Sequence, residues 1–456
     1  MKQHATVTQT LVPGVFQKAR HYLTRPIDIA PLIYVRIVVG SLMTIELSGG
    51  MFRGYLQTLL HGDFHFSYML TPWIEPWPEP WAMYVHFILV AVLSVMVIVG
   101  AWYRLAIVLL FIGAFSIFLM DQSLYINHVY LYCMMALILA FLPANRAFSI
   151  DARRNPAIVI SDIPAWMVYI FIFMMSIVYI YSGIAKLHAD WLEVRPITSW
   201  LKTRHDYPVI GALLVQEWYA YVVAYGGLLF DLGIVPLMMW QKTRRVAFAI
   251  CVLFHITNAA TFGVGLFPWF SIAMTALFFP PETFRRWTWL DRYLPAQGTA
   301  TYQPATYQHL THTFMIGFVI LQLLLPLRQF LYPGNPNWSE AGHQFSWRLM
   351  LRMKSGYVRF YIKDKKTGKT VRVNIREHLN SWKYQKMIGK PDMIIAFAHY
   401  LRDYYKARGF TDPEVRALCK VSLNRRPMQV MVDTSVDLAA QRRSLLSYKW
   451  IKPLQD

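Results

Sequence analysis

Three polar clusters in an otherwise apolar chain carry residue types suited to proton chemistry. The first is Tyr181-Ser182-Gly183-Ile184-Ala185-Lys186-Leu187-His188-Ala189-Asp190-Trp191, which closes an apolar helix that begins near Ala165. A lysine at the end of a membrane span is costly unless it reaches water, a counter-ion or a reaction. Desolvation favours the neutral amine, which makes Lys186 a candidate base. Snorkelling to the interface, or an ion pair with Asp190 at i+4, would also account for it. The second cluster is Asn127-His128 at the start of a span, where His128 is either catalytic or hydrogen-bonded to backbone at a helix end. The third is His255 and Asn258, three apart and so on one helix face. They form either part of a pocket or an interhelical polar contact. Asp231, mid-helix after Gly226-Gly227, reads as one half of a structural ion pair nearer the inner side.

The elements that must position these residues are membrane helices. The chain has 456 residues, 56% of them hydrophobic, with 16 Trp, 27 Tyr and 28 Phe. That is too apolar for a soluble enzyme, and several runs are long enough to cross a bilayer. About nine spans are expected, near 31–49, 81–102, 105–120, 127–144, 165–187, 217–239, 246–262, 264–281 and 309–330. The first is interrupted by Arg36 and Glu46. The basic arm from Met1 to Arg25 lacks the apolar stretch of a cleavable signal. Arg104, Arg146, Arg153, Arg154, Lys242, Arg244, Arg245, Arg285 and Arg286 fall in loops on the same side as that arm. The N-terminus is therefore expected in the cytoplasm. An odd number of spans then puts the C-terminal part outside, in a lumen or periplasm.

The net charge of +20 suits basic loops and anionic headgroups. No nucleic-acid motif accompanies it, so no nucleic-acid partner is expected. Cys133, Cys251 and Cys419 are the only cysteines, without a CxxC, so neither a disulfide framework nor a metal site is expected. Residues 51–80 form a loop rich in Trp and Pro, suited to the membrane interface. From about Asn335 the composition changes. Tyr357–Lys363, Thr370–Ile375 and Val415–Val432 read as strands, and Pro391–Arg408 as an amphipathic helix. From Leu351 onward basic residues exceed acidic ones by roughly a dozen. The expected architecture is a polytopic α-helical membrane domain over residues 1–334 and a smaller extracytoplasmic α+β domain over 335–456.

Ordered blocks of this sequence resemble the vitamin K-dependent γ-carboxylase family, whose membrane part is the HTTM domain. They include Asn127-His128-Val129-Tyr130-Leu131-Tyr132, Ala144-Asn145-Arg146-Ala147-Phe148-Ser149-Ile150-Asp151 and Gly183–Trp191. Gly226-Gly227-Leu228-Leu229-Phe230-Asp231-Leu232 and Phe254-His255-Ile256-Thr257-Asn258 follow. Asn337-Trp338-Ser339-Glu340, Phe345-Ser346-Trp347, Ser422-Leu423-Asn424-Arg425-Arg426, Val436-Asp437 and Trp450-Ile451-Lys452-Pro453-Leu454 complete the set.

The resemblance implies that Lys186 deprotonates vitamin K hydroquinone (or menaquinol), whose reaction with O2 yields a far stronger base. That base removes a γ-proton from a peptide glutamate, and the carbanion adds CO2. It further implies that His128, with Asn127 beside it, supports the developing negative charge. His255 and Asn258 are expected on the quinone pocket. Trp347, His343, Arg352 and Lys354 are expected at the substrate glutamate, with Arg352 and Lys354 holding its carboxylate; a basic lipid-facing surface is the other reading of the last two. Membrane lipids, a glutamate-containing peptide and a quinone epoxide reductase are the expected partners.

Three departures from the animal members stand out. His343 occupies the place of a tyrosine. The cysteine pair that ties their outer loop to the soluble domain has no counterpart in 51–80. The sequence closes soon after Trp450–Leu454, where they continue into a β-rich domain, so a short-form, prokaryotic member is expected. Two other functions stay open: a quinone-dependent oxidoreductase or epoxidase acting without peptide carboxylation, and a non-enzymatic lipid- or quinone-binding membrane protein.

Overall fold

The computed structural model describes Gly14 and residues 17–455, apart from 53, 63, 209, 288 and 304–307; the first part of the basic arm lies outside the described residues. The apolar runs form α1 (Ala30–Phe52), α2 (Pro80–Val99), α3 (Tyr103–Met120), α4 (Asn127–Phe141), α5 (Trp166–Ala185), α6 (Glu217–Met239), α7 (Arg244–Phe262), α8 (Phe267–Thr275) and α9 (Gln308–Leu327). Among the described residues, seven of these are long and apolar enough to cross a membrane; α4 and α8 are not. The apolar helices expected from the sequence are all present, two of them shorter than the rest. At 15 and 9 residues, α4 and α8 reach only about 22 and 14 Å at 1.5 Å per residue, against about 30 Å of hydrocarbon. Pro143 follows the end of α4. Ahead of α8, Gly263 and Gly265 take positive φ, and Pro280–Pro281 stop the run beyond it.

Arg36 does not break α1. It is fully buried, and its guanidinium donates to the carbonyls of Ala144, 2.7 Å away, and Phe148, just beyond α4. Those carbonyls stand where water would otherwise be needed. Helices α5 and α6 run side by side at close range because of Gly183. A Cβ there would lie 2.5 Å from Leu232 Cδ2 and 3.2 Å from the Leu232 amide.

The C-terminal part is built on an antiparallel sheet of order β4-β3-β5-β6; the short strands β1 (Pro26–Asp28) and β2 (Asp162–Pro164) pair within the membrane part. Here β3 is Lys354–Asp364, β4 Thr370–Arg372, β5 Pro413–Leu423 and β6 Gln429–Val430. Val358, Phe360 and Ile362 are buried between more exposed neighbours on β3, as Ala417, Cys419 and Val421 are on β5. That period of two gives the sheet one apolar face. Met393, Ile394, Phe397 and Leu401 of α10 (Pro391–Lys406) share the resulting core. Phe64 and Phe66, from the loop between α1 and α2, pack into the same core.

A buried lysine fastens that loop. Lys383 Nζ donates to the carbonyls of His61 (3.0 Å) and Phe64 (2.7 Å), contacts His65 Nδ1 at 3.1 Å and lies 3.5 Å from Asp121 Oδ2. Burial alone would push the Asp121 carboxyl up, but His65, Lys383 and Ser123 outweigh it and hold it below its usual 3.8. A carboxyl lowered on folding contributes stability above its unfolded value and loses it as pH falls through the folded value.

Two stability predictions follow from these contacts. Lys383→Met should lower stability by about 3 kcal/mol at pH 7, because it leaves a buried carboxylate without its cation. Melting in detergent checks this, and the wild type should show the same weakening only once the pH falls below about 3.8. Gly183→Ala should lower the melting temperature, although Gly→Ala within a helix is ordinarily stabilising.

Candidate active site

Lys186 caps the C-terminus of α5 and is 6% exposed. Its ammonium forms an ion pair with Asp231 Oδ2, donates to Ser182 Oγ at 2.7 Å and sits 5.1 Å from the centre of the Trp191 ring. The counter-ion is therefore Asp231 and not Asp190, the partner suggested by the i+4 spacing. The backbone at His188 is extended before a new turn begins at Ala189, so residues 186 and 190 do not share a helix face. Asp190 pairs instead with Arg426 (2.7 Å) and Asn424 (2.7 Å) of the C-terminal part. Burial would raise its carboxyl, but Arg426 and Asn424 hold it below the usual range. Asp231, read as belonging nearer the inner side, reaches the lysine because α6 runs against the end of α5.

Around this pair lies a cavity of about 440 Å³. Asn127, His128, Lys186, His255 and Asn258, drawn from α4, α5 and α7, all line it. The rest of the wall is largely apolar, with Trp191, Val223, Phe254, Phe262 and Phe267 among its residues. His128 stacks on Phe267, with ring centres 6.3 Å apart. Behind His255 stands Tyr179, whose hydroxyl lies 3.0 Å from His255 Nε2 and 3.0 Å from Thr275 Oγ1. Size, apolar lining and a few convergent polar groups are those of a small-molecule site.

A second cavity, of about 750 Å³, shares Ile126, Asn127 and Met350 with the first and opens between the membrane part and the C-terminal part. His343, Arg352 and Lys354 line it, but both cations already hold Glu340. Arg352 Nε donates to Glu340 Oε1 at 2.7 Å, its Nη2 bonds Oε2, and Lys354 Nζ donates to Oε1 at 2.6 Å. Burial would raise the Glu340 carboxyl, but these two charges carry it well below the usual carboxylate range. Arg352 Nη1 also faces His343 Nε2 at 2.7 Å. Burial first, and then that guanidinium, hold His343 well below its usual value. It is neutral and accepts at Nε2.

Trp347 is not on either wall. It is 1% exposed and packs its ring 5.4 Å from Tyr130, within the membrane core. It belongs to a strap between the cavities in which Phe345, Trp347 and Met350 all have φ between 49° and 60°. Left-handed backbone at non-glycine residues costs on the order of 1 kcal/mol each and persists only under external restraint. The restraint is visible. Tyr125 Oη accepts from Phe345 N at 2.6 Å, and Arg348 reaches across to Gln329 and to Asn337 Oδ1, 2.7 Å away.

Sequence reasoning missed Tyr179, Ser182, Glu340 and Arg348 as parts of these sites. An acid buried mid-span is a signal in itself, and it could have paired Asp231 with Lys186.

The HTTM domain model matches residues 24–283. The model of the vitamin K-dependent gamma-carboxylase lumenal domain matches residues 307–456. No solved structure matches the chain. With an HTTM domain over more than half its length and a γ-carboxylase lumenal domain after it, this integral membrane protein belongs to the vitamin K-dependent γ-carboxylase family.

Proposed function

We propose that the protein is a γ-glutamyl carboxylase that couples epoxidation of vitamin K hydroquinone, or of a menaquinol, to the addition of CO2 to a peptide glutamate. The observation that carries this reading is the Lys186–Asp231 pair on an apolar cavity that adjoins a cationic one through Asn127. Bound in the smaller cavity, the reduced quinone supplies, with O2, a base strong enough to take a γ-proton from glutamate.

The side chains prepare that chemistry. Lys186 takes the proton of the quinol hydroxyl at Nζ. To do so it must first pass one of its own protons to Asp231 Oδ2, with which it already shares a hydrogen bond. Pair and ligand together then stay neutral as the ligand becomes an anion. Ser182 Oγ keeps Nζ directed while the proton moves. His128 and Asn127 give hydrogen bonds to developing negative charge, which act strongly where water is excluded. His255, steadied by Tyr179, and Asn258 orient the ring. Arg352 keeps two N–H groups beyond those given to Glu340 and His343, since a guanidinium has five. Arg352 lines the larger cavity, where these groups would be available to the substrate's carboxylate.

The orientation that fits is a cytoplasmic N-terminus and an extracytoplasmic C-terminal domain. The short α4 and α8 join the same two ends as the long helices, since Phe148 beyond α4 meets Arg36 and Arg285 beyond α8 meets Asp28; nine crossings are odd in number, and they leave the basic loops on the N-terminal side. Residues 1–334 and 335–456 then act as membrane and peptide-facing units, with a quinone epoxide reductase regenerating the cofactor.

The test supplies reduced vitamin K, O2, labelled bicarbonate and a short glutamyl peptide to purified protein. Label in the peptide and epoxide in the same tube are expected, both lost in Lys186→Ala with folding retained. Small amines should partly restore that variant; full activity without them would remove Lys186 as the base. His128→Ala should lower carboxylation by about 10²-fold or more, with the melting temperature little changed. Epoxide without label would favour an epoxidase that does not carboxylate peptide, and neither product nor bound quinone would overturn both readings.

A further inference from the structure

The larger cavity has more cations on its wall than acids to answer them. Arg328, Arg348, Arg352, Lys354, Lys386 and Lys390 face Glu340 and Asp392. Both acids are taken. Glu340 is held by Arg352 and Lys354, and Asp392 by Arg443 (2.7 Å), Gln122 (2.8 Å) and Tyr448 (3.0 Å).

Lys354 has nothing left to give. Its Nζ donates to Glu340 Oε1 at 2.6 Å, to the Trp338 carbonyl at 2.7 Å and to the Gly389 carbonyl at 2.7 Å. An ammonium has three protons, so an incoming carboxylate could reach Lys354 only by breaking one of these bonds. Arg328 and Arg348 are turned to Gln344, Gln329 and Asn337. Lys386 lies over the Trp382 ring at 4.5 Å. Lys390 differs. It is partly buried at the cavity wall, and among the described residues its ammonium has neither a hydrogen-bond or ion-pair partner nor an aromatic ring such as Lys386 has. Its backbone is fixed on both sides, by Pro391 and by Gly389, whose φ is +69° and whose carbonyl is bonded to Lys354.

We propose that Lys390, together with the spare N–H groups of Arg352, is the seat of the substrate's glutamyl carboxylate, and that Lys354 serves to hold Glu340. The seat rests on the carboxylase reading for its biological substrate; its chemistry, a peptide carboxylate on a desolvated ammonium, stands apart from turnover. Burial first, and then Lys386, Arg352 and Lys354 acting against Glu340, bring the Lys390 ammonium down to about 7. An arriving carboxylate supplies the counter-charge that the folded chain withholds from it. Glu340 has the complementary duty. It neutralises Arg352 and Lys354 in part, so that the cavity receives one carboxylate without an overwhelming field.

The test is binding, with turnover beside it. Fluorescent peptides that differ only in one Glu or Gln are titrated into purified full-length protein in nanodiscs of neutral lipid. The wild type should prefer the Glu peptide. Lys390→Gln should weaken that peptide by about tenfold or more and erase the preference. Lys390→Arg should keep it, and Lys390→Met, which preserves the stem, should behave like Lys390→Gln. In turnover, Lys390→Gln should raise KM for the Glu peptide more than it lowers kcat. Equal binding of the two peptides by the wild type, or wild-type binding by folded Lys390→Gln, overturns the seat. So does a preference lost in folded Lys354→Met but kept in Lys390→Gln. If the peptides behave as expected and no label from bicarbonate enters the Glu peptide, the seat stands and the carboxylase reading falls.

Discussion

A lysine at the end of one helix and an aspartate within its neighbour, each neutralising the other, set the terms for the rest of this molecule. Neither charge could be left alone in apolar surroundings. Lys186 stands on the last turn of α5 and Asp231 lies fifteen positions into α6, so the helices must run in close register for the two to meet. Gly183 permits that approach against Leu232. Once the pair is formed, the remaining wall can be aromatic and aliphatic, as the proposed strong-base chemistry would need in order to exclude water. In the proposed mechanism the same pairing would keep a mobile proton beside the ligand without a net charge in the apolar interior.

The second constraint is the strap from Glu340 to Met350, which separates the two cavities and belongs to both. Its left-handed residues are held by Tyr125, Arg348 and the packing of Trp347 on Tyr130. Asn127 and Met350 look into both chambers, so on the proposed mechanism a reactive group made on one side would have only side-chain thickness to cross. Strain concentrated at such a place, and balanced by buried contacts around it, is how a fold fixes a thin partition.

Much of this was legible in the sequence. The three-residue spacing of His255 and Asn258, the Asn127-His128 pair at a helix start and the lysine closing α5 pointed to one end of the membrane, and they do meet there. The alternation on β3 and β5 and the amphipathic helix α10 could also be read directly. What could not be read depends on three-dimensional neighbours. Whether Lys186 pairs with Asp190 or Asp231 depends on where α5 stops, and helix ends are poorly marked in a run that stays apolar. Arg352 and Lys354 looked available for a substrate because the distance to Glu340 in space is invisible along the chain. Lys390, between a glycine and a proline just ahead of the expected helix, carries no signal along the chain, because only the fold brings it to the cavity wall. The hydropathy of α4 and α8 spoke for full crossings, but glycines and prolines at their ends shorten them.

Lys383 has a consequence of a different kind. Animal members resemble this chain but use a cysteine pair to fasten the outer loop. Here His61, Phe64 and His65 are gripped by a buried ammonium, and Cys133, Cys251 and Cys419 are free and buried. The clasp between the two parts therefore has no oxidation state. Thiol reductants have no covalent bond to open there, and what loosens the clasp is loss of charge at Lys383 or Asp121.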